Sequence, residues 1–182
     1  MGLSERSALE ARFAEVFGYL GAVTAYARRR GAVDPEEIAA ETMAIAWRKL
    51  SEVPVDDPRP WLFATARNTL FADRRRRSRQ APSSVADQAL ESLAVDPLDG
   101  HSGVDAALMA VLRTLGETDR EALLLVAWED LTPALAAASL GISQAAFRVR
   151  LYRARRRCQR ALATSAARSA QSPPISPTLE ER

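Results

Sequence analysis

The stretch "LTPALAAASLGISQAAFRVRLYRARRRC", residues 131–158, decides the fold. Thr132-Pro133 opens a helix, with a hydroxyl to cap it and a proline at its first position. An alanine-rich segment follows, Gly141 turns the chain, and Ser143 caps a second, longer helix. Ala137, four residues before Gly141, is small enough for the two helices to cross closely. A short helix, a tight turn and a long helix make the spacing of a helix-turn-helix, whose second helix can enter the DNA major groove.

That second helix is also where positive charge collects: residues 140–158 hold six arginines and no acid. On a wheel of about 100° per residue, Phe147, Leu151, Ala154, Cys158, Ala161 and Leu162 share the face to be buried. Val149, Tyr152, Arg153, Arg156 and Arg160 fall opposite, with Arg148 and Arg150 on the flanks. A solvated charged face is the plain alternative, but a surface made for solubility mixes both signs. Arginine's planar fork suits phosphates and guanine edges. Cys158 reads as a small core residue, since its neighbours on that face are apolar.

The remaining composition narrows the function. Of 182 residues 47% are hydrophobic and 26% charged, enough for a folded core. No apolar run approaches the roughly 20 residues of a membrane span. "MGLSERSALEARF" lacks the apolar stretch of a signal peptide, so a cytoplasmic location is expected. One cysteine and one histidine, His101 in the turn-rich "DPLDGHSG", leave no disulfide and no metal site. Carboxylates such as Glu121 and Glu129 have no metal-ligand spacing behind them. No cofactor, metal or enzymatic activity is expected.

The net charge of +2 hides two cationic blocks. Residues 59–79 hold seven arginines against Asp73, and residues 143–168 hold eight arginines and no acid. Between them, residues 80–142 hold two arginines against ten acids. The first block of the chain reads as helices. Phe13, Val16, Phe17, Leu20 and Val23 form one amphipathic stripe, Gly31 breaks it, and Asp34-Pro35-Glu36-Glu37 restarts a helix. That helix carries Ile38, Thr42, Ile45 and Ala46 on one face and ends near Leu50. "SEVPVDDPRP" is a proline-broken loop. "WLFATARNTLFADRRRRSR" returns to helix, with Leu62, Phe63, Ala66 and Leu70 inward. Residues 80–103 have no sustained period and read as a flexible acidic linker. Val104, Leu108, Val111, Leu112 and Leu115 restart a helix that Gly116 stops. Thr118 to Glu121 has the form of a capping box for the next one. Beyond Ala163 the Ser- and Pro-rich tail is expected to be disordered. The chain is thus expected to be all-α, with two small helical domains.

Four stretches carry a resemblance: "DPEEIAAETMAIAWRKL", "PRPWLFATARNTLFADRRRRSR", "TLGETDREALLLVAWEDLT" and "AASLGISQAAFRVRLYRARRR". Together, in this order, they resemble a bacterial RNA polymerase sigma factor of the sigma-70 family, in the compact form of the extracytoplasmic-function group. The resemblance implies region 2 over residues 1–79, a linker over 80–103, region 4 over 104–163 and a tail over 164–182. It implies core RNA polymerase and promoter DNA as partners, with an anti-sigma factor as a further one, and no membrane or small-molecule substrate. The helix 36–50 resembles the surface that docks on the polymerase coiled coil, with Glu37, Glu41, Ile45, Arg48 and Lys49 as contacts. "VDDPRPWLFATARN" is similar to the promoter-melting segment. It offers Arg59, Trp61, Phe63, Arg67 and Asn68 for unpaired bases, which bind stacking platforms and positive grooves. Trp61 and Phe63 read equally well as core. Arg74, Arg75, Arg76 and Arg77 would hold duplex phosphates, giving salt dependence rather than sequence preference.

In the second block Arg148, Val149, Tyr152 and Arg153 would face the upstream promoter element, with Gln144 and Arg150 nearby and Arg155, Arg156 and Arg157 further along meeting the DNA backbone. The linker matches the segment that threads the polymerase RNA-exit path. Two departures stand out: "PALAAAS" replaces the acids usual in the first helix of the helix-turn-helix, and Val149 stands where a small polar residue is common. Both leave the promoter sequence open. The competing reading is a stand-alone helix-turn-helix regulator of duplex DNA, which has no need of the aromatic and basic segment 59–79.

Overall fold

The structure, a computed structural model, describes residues 3–80 and 104–170. Among them are eight α-helices and one 3-10 turn, with no strand. The helices are α1 (Leu3–Phe17), α2 (Leu20–Arg29), α3 (Pro35–Arg48), α4 (Arg59–Gln80), α5 (Val104–Thr114), α6 (Glu117–Ala127), α7 (Pro133–Leu140) and α8 (Gln144–Ala170). The expected linker, apart from Gln80, lies outside the described residues.

Most starts and stops follow the local chemistry. Asp34 caps α3 by accepting from the Glu37 amide at 2.8 Å, and Pro35 takes the first position. Thr132 caps α7 and Ser143 caps α8 in the same way, each accepting from the amide three residues on. Gly31 and Gly141 end α2 and α7 at φ 71° and 65°, where a side chain would strain the backbone.

Three expectations need correction. The single stripe from Phe13 to Val23 is two helices, because the chain turns at Gly18-Tyr19. Val16 and Val23 are buried on either side of the break while Phe17 is left 47% exposed. The capping box does not form. The helix starts two residues earlier, after Gly116, without a side-chain cap, and Glu121 is held by tertiary partners instead. Finally, α8 runs on to Ala170, so residues 164–170 are helical rather than disordered. Residues 171–182 lie outside the described residues.

In the first half α2, α3 and α4 pack on one another, with α1 against α3. In the second, α5 and α6 pack against α8, and α7 lies across α8. The halves touch, α4 lying on α7. One continuous apolar cluster joins Val23, Tyr26, Met43, Leu62 and Phe63 to Leu125, Leu131, Ala136, Phe147 and Leu151. A second cluster around Val111, Leu112, Leu124 and Cys158 belongs to the helix-turn-helix half.

Beside the joint core runs a buried ionic network. Arg30, at the end of α2, donates to Glu121 on α6 at 2.7 and 3.1 Å and to Glu129 at 2.9 Å. Arg29 donates to Glu129 at 2.7 Å, and the Tyr26 hydroxyl donates to Glu121 at 2.9 Å. Glu129 lies in the turn after α6, which Asp130 makes at φ 50°. The Arg30 guanidinium lies 3.4 Å from the Tyr26 ring centroid, and Tyr26 stacks on Phe63 of α4 at 4.9 Å. Burial alone would depress the Arg30 pKa, but Tyr26, Glu121 and Glu129 outweigh it and raise it above its ordinary value. Burial and Glu121 likewise push the Tyr26 phenol well up, against the opposing charge of Arg30.

Candidate nucleic-acid interface

The α8 face is built from its buried side outward. Phe147, Leu151, Ala154 and Cys158, spaced at four, three and four residues, sit against the core. That anchors the rotation of the helix and leaves Gln144, Arg148, Val149, Tyr152, Arg153, Arg155 and Arg156 exposed, with Arg150 half-buried. Val149 is 50% and Tyr152 61% exposed, both on the side of the helix away from the core. Tyr152 and Arg156 lie on successive turns, the guanidinium 5.9 Å from the ring centroid. Arg157 is spoken for: it pairs with the buried Asp119 on α6 and braces α8 against its own half. The outward residues of this helix are those the sequence pointed to, now on one continuous surface.

The first cationic block differs from expectation. Three of its four consecutive arginines are engaged by acids of the same chain. Arg76 and Arg77 each donate to Asp73 at 2.7 Å, and Arg76 also reaches Glu37 at 3.2 Å. Arg74 donates to Glu117 at 3.1 Å and to the backbone carbonyl of Arg30. Arg75 is exposed and has no acidic partner among the described residues. Neutralised in part, this surface has less charge to offer phosphate than its composition suggests.

Of the melting-segment candidates, Phe63 is core, 2% exposed and stacked on Tyr26. It cannot reach a base in this arrangement. Trp61 is half-buried against the joint core, Arg67 lies over the Phe71 ring at 4.8 Å, and Asn68 is exposed. Arg59 donates twice to Asp57, at 3.0 and 2.8 Å, within the proline-bounded loop. That hydrogen bonding holds the Asp57 carboxyl below its ordinary value against a small opposing effect of burial.

On α3, Glu37, Glu41, Arg48 and Lys49 are exposed and Ile45 is half-buried. Glu37 is shared with Arg76 and Arg77, and Lys49 with Glu52. Trp47, 47% exposed, sits beside them with its ring 4.9 Å from Phe13. Sequence reasoning passed over this aromatic pair because Phe13 was placed on one stripe and Trp47 on none. It also missed the network of Tyr26, Arg29 and Arg30, for which "YARRRG" at a helix end was the available signal.

Asp73 gives this surface a pH dependence. Burial pushes its carboxyl up, but the hydrogen bonds from Arg77 and Arg76 outweigh that and hold it below the usual range. A depressed carboxyl contributes stability above its unfolded pKa, about 4, and loses it as pH falls through the folded value. Asp73→Asn should therefore lower stability at neutral pH by about 1.5 kcal/mol, the low end for hydrogen bonds to charged groups. The deficit should shrink on acidification below about pH 4. Denaturation curves across pH 3–7 would show a constant difference were Asp73 not the group responsible.

Among the described residues no cluster of three or more His, Cys, Asp or Glu side chains could hold a metal ion, and no helix is long and apolar enough to cross a membrane. Comparison with known proteins agrees with the geometry. The profile for sigma-70 region 2 matches residues 18–80, and that for sigma-70 region 4 matches residues 105–158. No curated protein sequence matches the chain. Among solved structures, the sigma factor RpoE of Bartonella quintana, in complex with the anti-sigma factor NepR, is 25% identical. The match covers 82% of this chain and 95% of that one, with a TM-score of 0.65. CnrH, in complex with the cytosolic domain of CnrY, shares the fold at 24% identity and a TM-score of 0.55, over 88% and 89% of the two chains. With region 2 ending in α4 and region 4 carrying the helix-turn-helix of α7 and α8, the chain belongs to the sigma-70 family of RNA polymerase sigma factors.

Proposed function

We propose that this sigma factor, of the extracytoplasmic-function type, works in the cytoplasm without catalytic residues of its own. It docks core polymerase through α3, reads an upstream promoter element with α8, and opens DNA along α4. Glu37, Glu41, Ile45, Arg48 and Lys49 are the docking contacts, with Trp47 adjoining them. Arg148, Val149, Tyr152 and Arg153 face base edges, Gln144 and Arg150 flank them, and Arg155 and Arg156 meet backbone phosphate. On α4 the roles narrow to Trp61, Arg67 and Asn68 for unpaired bases, with Arg75 the uncommitted phosphate ligand. An anti-sigma factor is a further partner, by extension from the relatives just described.

The single observation that supports this reading best is the pairing of an exposed Val149–Tyr152–Arg153 surface with a fully buried Phe147 beneath it. Run-off transcription with added core polymerase tests it. Promoter-dependent product from a genomic library is expected, and duplex binding without any product would favour a regulator acting alone. Arg153→Ala should then cost roughly 1–3 kcal/mol of binding at one upstream base pair. Footprint titration on single-substituted promoters reads this, and an equal loss on all sequences would assign Arg153 to phosphate.

A further inference from the structure

We infer that α8 recognises a thymine by its 5-methyl group, through an apolar strip in which Val149 is the central contact. The inference rests on α8 being the helix that enters the major groove. It adds which chemical feature of the bases that helix selects.

The strip follows from the rotation of the helix. Phe147, Leu151, Ala154 and Cys158 face the core, and Arg157 pairs with the buried Asp119, which fixes how α8 lies. At about 100° per residue, the line opposite that buried row runs through Ala145, Val149, Tyr152 and Arg156. All four are exposed. Arg148 and Arg153 are exposed as well, but stand roughly 70° to either side of that line. The outermost positions are therefore apolar or aromatic until Arg156, with cations at the flanks. A merely solvated face would put a charged side chain where Val149 stands.

The neighbours of Val149 extend the strip. The Tyr152 hydroxyl accepts from Arg156 at 3.4 Å, and that guanidinium lies 5.9 Å from the ring centroid. The polar end of the tyrosine thus has a partner on its own helix, and the ring continues the apolar line. Ala145 and Ala146 carry only a methyl each on the first turn, where a recognition helix comes closest to base edges. Side chains this small let the backbone seat deeply, which brings Val149 toward the groove floor.

The chemistry of the groove then selects the base. Its floor presents hydrogen-bond donors and acceptors at every pair, and the one apolar group among them is the thymine methyl. Val149 can neither donate nor accept. Against the amine of cytosine or adenine it would strip water from a polar group and return no hydrogen bond. Against a thymine methyl, both surfaces leave water together. Arginine suits guanine, and Arg148 and Arg153 are placed to address pairs on either side of this one.

The test uses the full chain bound to core polymerase, on a promoter recovered from the run-off library. Each thymine of the footprinted upstream element, on either strand, is replaced in turn by deoxyuridine, which lacks only the methyl. At least one replacement should weaken binding about fourfold, the loss expected for one buried methyl. Changing that pair so that cytosine stands in place of the thymine should weaken binding further, by roughly tenfold in all. In Val149→Ser, thymine and uracil should bind alike at this position, whereas Val149→Thr, which keeps one methyl, should retain part of the difference. A footprint in which no thymine responds overturns the inference and leaves the functional reading standing. A response of full size in Val149→Ser overturns it too. The absence of any upstream footprint overturns both.

Discussion

Phe147→Ala is expected to destabilise the chain by roughly 3–5 kcal/mol and to abolish upstream promoter binding. Phe147 is fully buried in the shared core on the first turn of α8, and its amide donates to the Ser143 carbonyl at 2.9 Å. Truncating it opens a cavity between α8 and the short α7, an eight-residue helix that could not persist alone. The loss should extend to DNA binding because Phe147 sets the rotation of α8 while touching no base itself. Chemical denaturation gives the first quantity and a binding titration the second. A variant that unfolds earlier yet binds at full strength under folding conditions would show that the turn at Gly141 orients α8 without this anchor.

Arg30→Ala should cost a similar amount, about 3–5 kcal/mol, because it removes a buried cation shared by two buried carboxylates and leaves Glu121 with only the Tyr26 hydroxyl and Glu129 with only Arg29. Arg30 is 7% exposed, and three of its hydrogen bonds to Glu121 and Glu129 are 3.1 Å or shorter. The loss measures abandoned charge more than the worth of the pairing. Replacing Arg30, Glu121 and Glu129 together by Met, Leu and Leu should therefore recover much of it. Thermal denaturation of both variants reads the contrast. Equal losses would mean that packing of the Arg30 stem against Tyr26, rather than charge, sustains the junction.

Much of the architecture was legible in the sequence because caps and glycines act locally. Asp34, Thr132, Ser143, Gly31 and Gly141 each do their work within a few residues, and the helices start and stop where those residues stand. The outward face of α8 was legible for the same reason, since a helix with one apolar stripe has only one way to lie. Charge was read less well. A run such as Arg74 to Arg77 looks like an open cationic surface until Asp73 pairs with it along the same helix and the fold brings Glu37 and Glu117 to it. Glu121 shows the same blindness from the other side. By spacing it belongs to a capping box, and by folding it meets residues 91 and 95 positions earlier. Nothing in a local pattern announces a partner so far away.

The shared junction has a consequence in linkage. Whatever prises α2 from the turn at Glu129 does so for every later arrival, and reciprocity requires each visitor to assist the others by an equal factor. Two visitors that favour opposite arrangements of this junction should thus oppose each other through a single equilibrium, even where their contact surfaces never meet.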